Sequence, residues 1–285
     1  DLYKDMLDKR MVYTCAYWDD ARSLDEAQEA KLELVCRKLG LRQGQRILDI
    51  GCGWGSFAKY AAENYGVSVV GITISKEQVE LARNLCGSLP VEIRQQDYRD
   101  VDERFDHIVS LGMIEHVGYK NYKSYMEMVS RCLEDNGIFL LQTIGSNISV
   151  RTTDPWISKY IFPNSMLPSI KQIAQAIEGR FVMEDWHNFG THYDKTLMVW
   201  FLNFDSHWDV LKNDYSDGFY RMWKYYLLSC AGAFRSRNIQ LWQIVLSKHG
   251  VTDGFDILRH GSRSQNTYIE DRKTRQNKNI HQILQ

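Results

Sequence analysis

Three short stretches of this chain carry residue types that could do chemistry together. The first is Arg46-Ile47-Leu48-Asp49-Ile50-Gly51-Cys52-Gly53-Trp54-Gly55, an apolar strand pattern running into a glycine-dense turn, with a helical pattern from Ser56 directly after it. Glycines there let the backbone turn sharply and let a ligand approach main-chain N–H groups that a Cβ would shield. The helix N-terminus that follows adds partial positive charge suited to a carboxylate or phosphate. The second stretch, Gln96-Asp97-Tyr98, offers an acid and a ring for the amino group and face of an adenine. The third, Gly112-Met113-Ile114-Glu115-His116-Val117, brings a carboxylate and an imidazole after an apolar run. A dinucleotide fingerprint is a poor fit. Its third glycine would fall one place later than Gly55, and the strand pattern ending at Ile72 carries no acid. The cofactor these stretches suit is an adenosine-type ligand with a second chamber above it.

The elements that must position them follow from periodicity. Asp25 to Leu39 predicts an amphipathic helix. Strands are expected at 46–50, 68–72, 91–95, 105–111 and 137–143, with helices at 57–65, 76–86 and 121–133 between them. Ser75 with Gln78 three residues on reads as a capping box for the second of those helices. Strands alternating with helices of this length imply a parallel, doubly wound α/β sheet, whose ligands sit beyond the carboxyl ends of the strands. After residue 145 the rhythm breaks. Pro155, Pro163 and Pro168 share a short stretch with Trp156, Tyr160 and Phe162, which reads as an insertion over the site. A strand near 181–186, helices at about 197–213 and 215–235, and a last strand at 239–247 complete the reading. The domain expected is residues 1–250, with the substrate-covering insertion inside 145–236; the polar stretch 251–285 is expected to be a flexible tail.

Composition narrows the classes. Of 285 residues 44% are hydrophobic, enough for a full core, and no apolar run is long enough to span a bilayer. A net charge of −1 argues against a general nucleic-acid binder. The six cysteines are scattered, with no C-x-x-C and no Cys/His ligand spacing, which fits a reducing cytosol and no metal site. His116 and His187 lack a partner at ligand spacing and are expected to make structural hydrogen bonds.

The three strand ends are spaced as in class I S-adenosylmethionine-dependent methyltransferases, and further motifs sharpen the match. Tyr13-Thr14-Cys15-Ala16-Tyr17-Trp18, Gly71-Ile72-Thr73-Ile74-Ser75, Gly112 to Gly118, Thr143-Ile144-Gly145, Tyr160-Ile161-Phe162-Pro163 and Trp186-His187-Asn188-Phe189-Gly190 resemble the cyclopropane-fatty-acid synthases. The likeness runs from Asp5 to about Ser247 and is nearer to the phospholipid-acting branch than to the mycolic-acid enzymes or plant N-methyltransferases. It implies a Rossmann-like, seven-stranded, mostly parallel sheet. It also implies a further N-terminal lipid-binding domain in full-length members, so that this chain, which begins at Asp1, would be a segment of one.

The resemblance implies that Tyr13, Thr14, Asp49, Gly51, Gly53, Thr73, Ile74, Gln78, Asp97 and Tyr98 hold S-adenosylmethionine, with Gln78 on the ribose. It implies a bicarbonate ion beside the cofactor, held by Cys15, Glu115, Gln142, the Ile144 backbone and Tyr193, with Glu184 orienting Tyr193. At Gln142 the family has histidine. An amide donates a hydrogen bond but cannot titrate, so the resemblance implies weaker anion binding and slower cyclopropanation. The substrate implied is an unsaturated acyl chain of a membrane phospholipid, the location the cytoplasmic face of a membrane in peripheral contact, and the full-length assembly a homodimer. Two alternatives stay open: a lipid C-methyltransferase giving methyl-branched or hydroxylated chains, and a weakly active protein that binds cofactor and membrane. Among the many aromatics, Tyr193, Phe189 and Tyr160 are the rings expected to line the acyl tunnel.

Overall fold

A computed structural model describes residues 2–256. The chain opens with a short helix, α1 (Leu2–Met6), and a long one, α2 (Leu24–Leu39). Ser23 starts α2 by accepting the Glu26 N–H on its hydroxyl, and Gly40, in the left-handed region at φ 63°, ends it. The βα units follow in order: β1 (Arg46–Ile50), α3 (Ser56–Tyr65), β2 (Ser68–Thr73), α4 (Lys76–Cys86), β3 (Val91–Gln95), β4 (Phe105–Leu111), α5 (Tyr122–Cys132) and β5 (Leu133–Ser146). Then come α6 (Pro155–Tyr160), α7 (Ile170–Ile177), β6 (Val182–Asn188), α8 (Gly190–Ser206), α9 (Trp208–Leu211), α10 (Asp217–Arg235) and β7 (Ile239–Ser247).

The seven strands form one sheet in the order β3-β2-β1-β4-β5-β7-β6, parallel except for β7, which runs antiparallel to both neighbours. This is the expected class I methyltransferase architecture. From β1 the chain winds outward through β2 and β3, then crosses back to β4, so the carboxyl ends of β1 and β4 flank the switch point where such sheets bind ligands. Leu32, Val35 and Leu39 of α2 and Phe57 and Ala61 of α3 pack on one face against Ile47, Val69, Val109 and Leu140. Tyr125, Met126 and Val129 of α5 and Ile173 and Ile177 of α7 cover the other, against Leu48, Ile50, Ile108 and Phe139. A third cluster lies above the strand ends, where α1, α8 and α10 gather Trp18, Tyr193, Trp200, Trp223, Tyr226 and Phe234 into an aromatic cap.

Three expectations need correction. The helix expected from 197 begins at Gly190, because the Asn188 side chain accepts the Gly190 N–H and starts it a full two turns earlier; Tyr193 therefore sits on a helix. The capping box at Ser75 is half made. Ser75 accepts the Gln78 N–H, but the Gln78 side chain turns back to accept the Thr73 hydroxyl at 2.6 Å. A complete box occurs instead at Ser169 and Gln172, opening α7. Within the expected tail, Val251 is tied down: its N–H donates to Glu184, and Val251 and Phe255 pack on the α2 face of the core. Residues 257–285, the rest of that tail, lie outside the described residues.

Candidate active site

The switch point opens into two adjoining cavities. The lower, of about 770 Å³, is lined by Asp49, Gly51 and Gly53 after β1, Thr73, Ile74 and Gln78 around β2 and α4, Asp97 and Tyr98 after β3, and Tyr13 and Thr14 from the segment before α2. All ten residues expected to hold the cofactor thus share one wall. The glycines are needed there. Gly51 has φ 81°, and a Cβ on it would stand 2.8 Å from Met113; Gly112 has φ 74°, and its Cβ would stand 3.0 Å from the Thr14 methyl. Asp97 accepts hydrogen bonds from Arg99 Nε and Nη2, at 2.9 and 2.7 Å, which pulls its pKa down.

Asp49 behaves differently. It is buried, its Oδ2 has no hydrogen-bond partner, and desolvation pushes its pKa up to about 7 against the pull of Lys31. Lys31 was not singled out by the sequence reading. It lies on the buried face of α2, donates to the Thr14 hydroxyl at 3.1 Å, and is brought down to about 8 by its own burial. The available signal was its place at the helical spacing of Ala27, Leu34 and Lys38, where a lysine inside an apolar stripe is out of pattern.

The upper cavity, of about 510 Å³, is lined by Glu115, Gln142, Ile144 and Tyr193, with Leu197, Tyr226, Phe234 and Leu241 of the cap among its apolar walls. Tyr13, Thr14, Gly112, His116 and Phe162 belong to both cavities, so the two meet at the end of β4. Glu115, buried in the wall of the upper cavity, precedes His116 of the shared wall. Its Oε1 accepts the Ile144 N–H at 2.7 Å, its Oε2 has no partner, and desolvation raises its pKa to about 7. On β5 and β7, Gln142 and Gln243 stand directly opposite; the Gln243 amide donates to Gln142 Oε1 at 3.0 Å, leaving Gln142 Nε2 without a partner. Gln243 is a second residue the sequence reading passed over. Burial raises the Tyr193 hydroxyl well above its usual pKa, with smaller contributions from Cys15, Tyr13 and Glu115.

Four expectations about this cavity fail. The Ile144 N–H is spent on Glu115, the nearest buried carboxylate, rather than left for an anion. Cys15 lines neither cavity; its thiol donates to its neighbour's carbonyl, Ala16 O, at 3.2 Å, and burial keeps it protonated by pushing its pKa up. Glu184 does not orient Tyr193. It lies at the opposite end of β6 and accepts the Ser247 hydroxyl at 2.5 Å and the Val251 N–H at 2.9 Å, because a register shift between Met183 and Asp185 releases it from the ladder. Of the three aromatics, only Tyr193 lines the cavity. Phe189 is core against Tyr17, and Tyr160 lies half-exposed on the outer surface. His187 bonds Lys38 Nζ at 3.2 Å, a structural role, whereas His116 stands on the wall shared by both cavities.

A chamber lined by three carboxyls, those of Asp49, Glu77 and Asp97, that opens into an apolar one suits a cationic cofactor acting on an apolar substrate. Comparison with known proteins decides the family. The profile of the mycolic acid cyclopropane synthetase family matches residues 1–244. The chain belongs to that family. It is 57% identical to the cyclopropane-fatty-acyl-phospholipid synthase of Escherichia coli (strain K12) over 259 residues, 91% of this chain and 68% of that protein. It is 35% identical to the sphingolipid C9-methyltransferase of Komagataella phaffii, covering 87% of this chain and 56% of that one. Among solved structures, the mycolic acid cyclopropane synthase CmaA1 complexed with SAH and CTAB superposes with a TM-score of 0.81 at 31% identity, over 87% of this chain and 94% of that one. The cyclopropane synthase MmaA2 from Mycobacterium tuberculosis gives 0.82 at 28% identity, over 87% and 93%. The chain is therefore an S-adenosylmethionine-dependent enzyme of the methyltransferase class.

Proposed function

We propose that this enzyme transfers a methylene group from S-adenosylmethionine to the cis double bond of an unsaturated phospholipid acyl chain, giving a cyclopropane and S-adenosylhomocysteine. The olefin's electron pair attacks the sulfonium methyl, the carbon–sulfur bond breaks, and a carbocation remains on the chain. Loss of a proton from the new methyl group lets the freed pair close the ring. Holding the two reactants in line in adjoining cavities supplies much of the rate. The apolar upper wall keeps bulk water from the cation. The buried acids of the two cavities, Asp49 in the lower and Glu115 in the upper, suit the cofactor's positive charge, which favours their ionised forms.

A bicarbonate ion, when bound, would supply the base that takes that proton. The residues present fit it in part. Glu115 Oε2 is an unmatched acceptor, Gln142 Nε2 an unmatched donor, and Tyr193 lines the same cavity, a set complementary to an ion that both donates and accepts. Cys15 and Glu184 stand outside this set, and Thr73, Gln78, Asp97 and Tyr98 would carry the cofactor's ribose and adenine. We place the enzyme in peripheral contact with the cytoplasmic face of a membrane and, in its full-length form, as a homodimer.

The observation that carries the proposal is the Glu115 carboxylate, partly unpaired, in the wall of the apolar cavity that adjoins the cofactor chamber. The test is transfer from labelled S-adenosylmethionine to vesicles of unsaturated phospholipid, with the product chains analysed for added mass and ring-proton signals. One added methylene with ring protons supports the reading. Because Gln142 is a neutral amide, a second outcome is specific: a methyl-branched or hydroxylated chain would mean that the cation is trapped before the ring closes. Cofactor binding without any transfer would reduce the protein to a binder.

A further inference from the structure

Beside the acyl cavity lies a separate hollow of about 660 Å³, formed by the loop after β4 and the segments on either side of α6. Lys120, Arg151 and Lys159 line it with Asn121, Ser158 and Asn164, and no carboxylate does. In a chain of net charge −1 that is a local concentration of positive charge. Arginines elsewhere on this surface, such as Arg94, Arg104 and Arg235, sit in ion pairs; among the described residues Lys120, Arg151 and Lys159 are in none. The nearest acid in sequence, Asp154, is committed to capping α6, where its Oδ1 accepts the Trp156 and Ile157 N–H groups.

The hollow and the acyl cavity share walls: Thr152, Thr153 and Ser165 line both. A molecule that fills the two together must be an amphiphile, apolar along its chain and anionic at its head. Two ammonium groups, a guanidinium and two serine hydroxyls make a donor set suited to phosphate oxygens. On the far side of α6, Trp156 packs edge-on against Tyr225 at 4.6 Å, with Tyr160 and Tyr225 exposed, the kind of aromatic shelf that settles at a lipid–water boundary. We propose that this hollow seats the phosphodiester of the lipid whose acyl chain enters the neighbouring cavity. It rests on the phospholipid reading above and adds a headgroup site to it.

The test is equilibrium binding to the full-length protein of three single-chain probes, each below its micelle-forming concentration: oleoyl-lysophosphatidylglycerol, monooleoylglycerol and oleate. Monomeric probes remove the attraction of a charged vesicle surface. The seat requires the phosphorylated probe to bind at least about tenfold more tightly than the other two, the worth of one charge-assisted contact set. It also requires that preference to vanish in Lys120→Gln/Arg151→Gln/Lys159→Gln while the glyceride's affinity and S-adenosylhomocysteine binding stay unchanged. Lys120→Arg/Lys159→Arg should keep the preference. Equal binding of all three probes by the wild type, oleate as tight as the phosphorylated probe, or a preference that survives the triple variant would each overturn the proposal. Methyl transfer is measured in parallel. Its absence with every lipid would count against the catalytic reading, and the binding ratio would still judge the seat.

Discussion

Two lysines lie on the same face of α2, two turns apart, and both are about 1% exposed. Lys38 is answered: Asp185 lies 3.3 Å from its ammonium and His187 Nδ1 3.2 Å. Lys31 meets only a hydroxyl, Thr14, at hydrogen-bond distance, and no carboxylate lies within ion-pair distance of it among the described residues. The acids around it follow suit, since Asp49 and, farther along, Glu115 each keep an oxygen without a partner. A buried charge is stable when matched and costly when not. The molecule matches its charges under the sheet and leaves them unmatched at the strand ends. That difference locates the place where a cationic ligand completes the electrostatics.

The largest effect expected from this contrast is at Glu115. Glu115→Gln should cut methyl transfer by at least about a thousandfold, the scale of losing an electrostatic or proton-handling group. S-adenosylhomocysteine affinity should change by less than about threefold, since the loss is in the transition state. Stability gives a second readout. The folded-state pKa is raised from 4.5 to about 7 by burial. The unfolded chain therefore ionises first, and stability falls as pH rises between those values, leaving a penalty on the order of 3 kcal/mol above pH 7. Glu115→Gln should remove it and raise Tm at pH 8 while changing little at pH 4. Parallel loss of activity and cofactor binding would show that Glu115 serves the cofactor chamber instead.

The lysines themselves give the next effect. Lys38→Met should destabilise by about 3–5 kcal/mol, because it removes the ammonium that faces Asp185 in the interior, and adding Asp185→Leu should recover much of that. Lys31→Met should cost far less, since no ion pair is broken, and should instead alter cofactor affinity. Equal destabilisation by the two, measured by urea unfolding, would erase the distinction.

A smaller effect separates Asp49 from the matched acids. With its pKa at about 7 and a cationic ligand favouring the carboxylate, S-adenosylmethionine should bind several-fold more tightly as pH rises from 6 to 7.5. Calorimetry on Asp49→Asn should find that rise flattened. A slope unchanged by the substitution would assign the titration to another group.

The matched and unmatched halves were not equally legible in the sequence. The bounds of β1, β4 and β7 follow directly from apolar runs closed by glycine or charge, and those of β3 from the alternation of Val91 and Ile93 with charged residues. The ten residues expected to hold the cofactor follow from the family resemblance, and the glycines among them also from local turn chemistry, as at Gly51, where any side chain would strike Met113. The cap resisted because its determinants are long-range. Gly190 lies against the Leu241 backbone, 3.0 Å from where its Cβ would stand, and Gly145 is required by the Trp242 ring, 2.2 Å from where its Cβ would stand. Glu184 failed for the same kind of reason: a one-residue irregularity in β6 decides which way its carboxylate goes, and no spacing records it. Lys31 and Gln243 were missed because each matters only through a partner far away in sequence, Thr14 or Gln142.

The finest prediction concerns that last pair. Gln142 and Gln243 are both buried and directly opposed, so the Gln243 amide fixes which end of Gln142 faces the cavity. Gln142→His should raise methyl transfer a few-fold, on the scale of one added hydrogen bond to a charged group, and steepen its dependence on added bicarbonate. Gln243→Leu alone should lower transfer modestly without touching cofactor affinity, because it frees the Gln142 amide to rotate. In Gln142→His/Gln243→Leu the gain should disappear, since an imidazole needs the same neighbour to hold its tautomer. A gain that persists without Gln243 would make position 142 self-sufficient. A Gln142→His variant that is neutral in both backgrounds would remove the pair from the reaction and return it to the core.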